Sequence, residues 1–152
     1  MRPLLVLDAE VGLLSKHRCL ILPEGFYEWQ TGTDGRKQPI RFSLADGQPF
    51  AFAGLYTTWH DPARDEPVVS CTIITTRANE LVAGIHDRMP VTLPSSAEAL
   101  WLSPEVEKHE ALALLEPYPA ELMFASPAST LVNSVWNDGP ELLDSNVGTI
   151  AA

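Results

Sequence analysis

The spacing of apolar positions changes character part-way along the chain. Arg18 to Leu22 is a short apolar run, and beyond Pro23-Glu24-Gly25 comes the aromatic-rich Phe26 to Gln30. Both read as strands. Thr31 to Gln38 contains the Asp-Gly pair of a hairpin turn. From Pro39 to Leu44 the chain alternates, with Ile40, Phe42 and Leu44 on one face and Arg41 and Ser43 on the other. A turn at Ala45-Asp46-Gly47-Gln48 leads to a strand from Pro49 to Trp59, in which Gly54 marks a bulge or a close backbone approach. The polar stretch His60 to Pro67 is a loop, and Val68 to Thr75 is a β-branched run.

Helical spacing takes over next. Thr76 to Gly84 carries helix-forming residues behind Thr76 as a cap. A short strand at Val91 to Leu93 precedes a helix over Ser96 to Leu102. A second helix is expected with Ser103 as cap and Pro104 at its first position, running to about Leu115. From Glu121 the pattern is short strands and turns, ending in the plain tail DSNVGTIAA. Strands joined by hairpins with helices grouped later predict an α+β fold. No repeat, low-complexity tract or linker interrupts residues 1–152, so a single domain is expected.

Composition narrows the function classes. With 152 residues, 45% apolar and 20% charged, the chain has the make-up of one globular domain rather than a disordered acidic tail. No apolar run approaches the roughly 20 residues of a bilayer span, and the start breaks at Asp8 before a signal-peptide core develops. A cytoplasmic protein with no membrane partner is therefore expected. The net charge of -10 argues against nucleic acid, but it is unevenly spread. Residues 1–60 are neutral, 61–100 carry three Arg against six acids, and 101–152 carry only Lys108 against eight acids. The first two-thirds can still present a basic face. Cys19 and Cys71 lie in apolar runs and read as buried core residues. His17, His60, His86 and His109 lack metal-ligand spacing, so neither a zinc site nor another cofactor is expected.

Few residues stand out for chemistry. Glu28 lies between Tyr27 and Trp29 in GFYEW, where burial would favour its protonated form and suit general acid–base work. Spacing alone favours a Glu on the wet face of an amphipathic strand. His86 opens HDRMP, where an imidazole beside Asp87 and Arg88 offers a proton shuttle and an anion clamp, or simply a polar loop. Thr75 and Thr76 end a strand where a hydroxyl can meet a ligand. Trp29 and Trp59 can stack bases or pack in a core. A Cys–His hydrolase pairing Cys19 or Cys71 with His86 is disfavoured by the apolar setting of both thiols.

The segments RCLILPEGFYEW, FAFAGLY, TIITTRAN, GIHDRMPVTL, AEALWL, PYPAELM and VNSVWNDGPEL follow one another in order. Together, over about residues 16–143, they resemble the SOS response-associated peptidase (SRAP) family of abasic site processing proteins. The resemblance implies an α+β domain with a bifurcated β-sheet folded into a pseudo-barrel and a few peripheral helices. It implies recognition of abasic sites in single-stranded DNA during the DNA damage response, in the cytoplasm on nucleoid DNA. In the family an N-terminal Cys, freed by autoproteolytic removal of the initiator Met, condenses with the ring-opened sugar to give a thiazolidine DNA–protein crosslink. By motif position, Glu28 and His86 carry the catalytic roles, and Trp29, Thr75 and Arg88 the DNA contacts. Neither a metal nor a cofactor is implied.

The sequence departs from that pattern at its start. It reads Met-Arg-Pro where family members read Met-Cys-Gly-Arg. Neither Cys19 nor Cys71 supplies a thiol and an α-amine on one terminal residue. Val6 and Asp8 fall where the family places an Asn and an Arg, so the first part of the domain is expected to be incomplete and the chain inactive in crosslinking. A noncatalytic single-stranded DNA-binding domain is the alternative, and a peptidase on external substrates ranks last for want of a nucleophile.

Overall fold

The computed structural model describes residues 8–60, 62 and 66–143. In chain order it contains α1 (Asp8–Lys16), β1 (Arg18–Ile21), β2 (Phe26–Thr31), β3 (Lys37–Leu44), β4 (Ala51–Trp59), β5 (Val68–Ile73), β6 (Thr75–Arg77), β7 (Arg88–Pro90) and β8 (Thr92–Leu93). Then come α2 (Ser95–Leu102), α3 (Lys108–Ala113) and β9 (Met123–Pro127), with 3-10 turns at Ala120–Leu122, Thr130–Asn133 and Pro140–Leu143. The strands form three antiparallel sheets: β1-β4-β5 with β8 also on β4, β2-β3-β9, and the ribbon β6-β7. This is an α+β fold, and none of the described sheets closes into a barrel.

The β2-β3 hairpin and the turn from β3 to β4 follow the local chemistry. Gly35 and Gly47 take φ of 76° and 70° in the two turns, a region glycine enters freely. Gly54 is a close approach. A Cβ there would stand 2.9 Å from both Cys19 Sγ and Ile21 Cδ1 and 3.2 Å from the Thr72 carbonyl.

Two apolar clusters hold the sheets. One joins Ala53 and Leu55 of β4 to Leu14, Val91, Leu93, Trp101 and Ala111, so the helices cover one face of the first sheet. The other joins Ile40 and Phe42 of β3 to Val82, Met89 and Met123, clamping the second sheet against the β6-β7 ribbon. Arg18 is buried at the first cluster, its guanidinium donating to the carbonyls of Leu14, Trp101 and Ser103 and stacking 5.7 Å from the Trp101 ring centroid. A cation there faces the negative C-terminal ends of both α1 and α2.

Four expectations change. No helix forms over Thr76 to Gly84, because Thr76 is buried in β6 and a run of turns follows it. There the Asn79 side chain accepts from Val82 N–H and donates to the Tyr118 carbonyl. The helix expected behind Ser103 starts later, at Lys108. Glu107 and Glu110 form a reciprocal capping box there, while Pro104 lies in a turn. Cys71 is exposed rather than buried, since β5 is an edge strand whose six residues are all exposed. The strand expected over Val68 to Thr75 breaks at Ile74 into β5 and the start of β6, while the one expected over Val91 to Leu93 is β8, preceded by β7 at Arg88–Pro90. The tail DSNVGTIAA and the first seven residues lie outside the described residues.

Candidate functional site

The β6-β7 ribbon and the turn before it gather most of the residues of interest. Among the described residues, the Arg88 guanidinium is held by Thr75 alone: Nε donates to Thr75 Oγ1 at 2.9 Å, and Nη2 donates to the same hydroxyl at 2.7 Å and to the Thr75 carbonyl at 2.6 Å. This leaves Nη1 for an outside anion. Directly opposite Arg88 on the ladder stands Arg77, which sequence reasoning passed over. Like charges opposite one another on a ribbon cost stability. Here acid offsets the pair, since Glu116 stands by Arg77 and Glu80 and Glu121 line the adjoining cleft. Arg77 is exposed and lies 3.7 Å from Glu116, and a cleft of about 390 Å³ opens beside it.

His86 sits at the mouth of the same ribbon. The main-chain N–H of Arg88 lies 3.0 Å from His86 Nδ1, which accepts from it when the ring proton is on Nε2. Asp87 Oδ1 lies 3.4 Å from Nδ1 and the Arg88 carbonyl 3.0 Å away, so the protonated ring also finds partners. The imidazole is exposed and is supported in both states. That is the arrangement a proton shuttle requires.

Glu28 occupies the second sheet, opposite Ile40. Residues paired across a ladder share a face, so Glu28 lies with Phe26, Ile40 and Phe42 on the side that packs against Met89 and Val82. The wet-face placement favoured by spacing is thus not what the fold adopts. Glu28 is half-buried at the rim of the cluster that carries the Arg88 ribbon, and among the described residues its carboxylate has no hydrogen-bond or ion-pair partner. Trp29 points to the opposite face, partly exposed. Its indole N–H donates to Asn133 Oδ1 at 2.7 Å. Asn133 belongs to VNSVWN, and the only sequence signal for it was that motif. The fold therefore brings Thr75, Arg88 and His86 together and sets Glu28 across a shared core from them, with Trp29 on another face.

The cysteines stand apart. Burial, and then the proximity of Cys71, push the Cys19 thiol above its ordinary pKa. Among the described residues, no group of three or more His, Cys, Asp or Glu assembles as a metal cage.

The family model of the SOS response associated peptidase (SRAP) matches residues 11–135. The chain belongs to the SRAP family. It is 47% identical over 135 residues to abasic site processing protein YoqW of Bacillus subtilis, covering 88% of this chain and 59% of that relative. It is 40% identical over 152 aligned positions to the abasic site processing protein HMCES of chicken, covering 86% of this chain and 44% of that one. A crystal structure of a Bacteroides thetaiotaomicron protein superposes with a TM-score of 0.80 at 31% identity, over 87% of this chain and 58% of that one. This SRAP chain thus spans a little over half the length of the bacterial relatives it matches.

Proposed function

We propose that this SRAP protein processes abasic sites in single-stranded DNA, with Arg88 gripping a backbone phosphate, Thr75 fixing the guanidinium, and Trp29 offering a ring to a neighbouring base. His86 moves protons at the lesion, and Glu28 supplies a second proton donor or acceptor. The observation that carries the reading is the Arg88 fork held by three contacts from Thr75 next to an imidazole with partners in both protonation states. A phosphate and a ring-opened sugar aldehyde, a few ångströms apart in DNA, are what such a pair fits. The site of action is the cytoplasm, on nucleoid DNA.

The family's thiazolidine chemistry needs a thiol and an α-amine on one residue. In this sequence position 2 is Arg, Cys19 is in β1 and Cys71 in β5. Neither Cys19 nor Cys71 therefore carries that chemistry, and noncovalent recognition of the lesion is proposed for this chain. Binding of a fluorescent single strand carrying a tetrahydrofuran abasic analogue tests the reading, since the analogue has no aldehyde. Wild type is expected to bind it, and Arg88→Ala to weaken binding about tenfold or more through loss of a charged hydrogen bond. Equal binding by both proteins would remove the site from consideration.

A further inference from the structure

Trp29 stands directly opposite Pro39 on the β2-β3 ladder, where paired residues share a face and their Cβ atoms are about 5 Å apart. Pro39 is fully buried, while Trp29 keeps 37% of its surface exposed. The indole is thus packed in part and open in part. Two side-chain torsions carry the ring, and any freedom it keeps must be given up when it stacks on a base, which weakens the binding.

A distant segment supplies the restraint. Trp29 Nε1–H donates to Asn133 Oδ1 at 2.7 Å, across 104 residues of sequence. An indole has one donor and no acceptor, so this bond is its single polar tie.

Asn133 is itself placed by bonds that do not involve Trp29. Ala128 N–H donates to the Pro39 carbonyl at 2.9 Å, and Gln38 Nε2 donates to the Ala128 carbonyl at 2.9 Å, which fastens the chain just beyond β9 to β3. Ser129 Oγ then accepts from Leu131 N–H at 3.2 Å and caps the 3-10 turn Thr130–Asn133. On the far side Asn137 Nδ2 donates to the Leu131 carbonyl at 2.9 Å. The turn is anchored at both ends, so it can hold the indole rather than follow it.

We infer that Asn133 is a positioning residue for DNA binding, whose amide oxygen fixes the plane of the Trp29 ring for stacking on the base beside an abasic site. The inference rests on the contact between Trp29 and DNA proposed above. A neutral acceptor suits that place. A carboxylate would hold the indole N–H more tightly, but it would bring negative charge to the DNA path of a chain already at -10.

Binding of the tetrahydrofuran single strand is compared for the wild-type chain, Asn133→Ala, Trp29→Phe and the double variant. Phe keeps a ring and has no N–H. Asn133→Ala is expected to weaken binding about fivefold in the wild-type background and to change nothing once position 29 is Phe. In proton–nitrogen correlation spectra, the indole signal missing from Trp29→Phe is expected to shift and to exchange faster with water in Asn133→Ala. The melting temperature is expected to hold within about 2 °C, because the bond is exposed. An equal loss in both backgrounds overturns the inference, since Asn133 then acts without the indole. Full binding by Asn133→Ala beside weak binding by Trp29→Ala also overturns it, and leaves the contact between Trp29 and DNA standing. Full binding by Trp29→Ala removes that contact, and the inference with it.

Discussion

Thr75 and Arg88 show what a single pair contributes. One hydroxyl and one carbonyl take three contacts from the guanidinium, so its orientation depends on Thr75 rather than on a carboxylate that would compete with phosphate. Lys has no fork, and Val has no hydroxyl. Arg88→Lys and Thr75→Val are both expected to weaken binding of abasic single strands, Arg88→Lys by about tenfold, with little change in melting temperature because the contacts are exposed. Titration by fluorescence anisotropy and a thermal scan check both halves. The thiols give a second test at this scale. Alkylation is expected at Cys71 well before Cys19, since Cys71 is exposed and the raised pKa of Cys19 leaves less thiolate. A raised thiol pKa in the folded state keeps the proton longer than the unfolded chain does. The stabilisation is therefore complete below the unfolded thiol's pKa and is lost as pH climbs through the folded value. Urea melts of Cys19→Ala against wild type, from neutral to alkaline pH, are expected to show a steeper alkaline decline in wild type.

At the level of elements, tertiary contacts decide what local pattern leaves open. The β2-β3 hairpin and the turn from β3 to β4 were legible because Asp-Gly pairs favour turn geometry and Ile40, Phe42 and Leu44 alternate over a half-buried sheet, although β3 and β4 then part into different sheets. The stretch after Thr76 was not. TRANELVAG has helical composition, yet Thr76 is needed in β6 opposite Met89, and Asn79 spends its amide on the Tyr118 carbonyl. Glu28 was misplaced for a similar reason, since its neighbours Tyr27 and Trp29 looked inward by composition while the ladder turns Glu28 toward Ile40. Arg18 was invisible as a structural residue because its partners are carbonyls 4, 83 and 85 residues away. Arg18→Met would leave those carbonyls without a donor in a buried setting and is expected to cost about 3 kcal/mol, read as a lower denaturation midpoint with unchanged slope.

For the molecule as a whole, charge and family pull in opposite directions. A chain of net charge -10 is a poor general binder of DNA, so the binding proposed above rests on few cationic groups, Arg88 first among them. Arg77 and Arg88 face each other on one ribbon, and the excess acid lies in residues 101–152. Few phosphate contacts mean a shallow salt dependence. The affinity for abasic single strands is expected to fall by only about a unit or two of log-log slope, reading roughly one phosphate per unit. The most direct test compares this protein with a single strand bearing an aldehydic abasic site, the same strand carrying a tetrahydrofuran, and the intact strand, each by binding and by denaturing gel. The account predicts preference for both abasic strands over the intact one, dependence on Arg88, and no heat-stable band that depends on Cys19 or Cys71. Equal affinity for intact and abasic strands, or a heat-stable band lost in Cys19→Ser or Cys71→Ser, would contradict it.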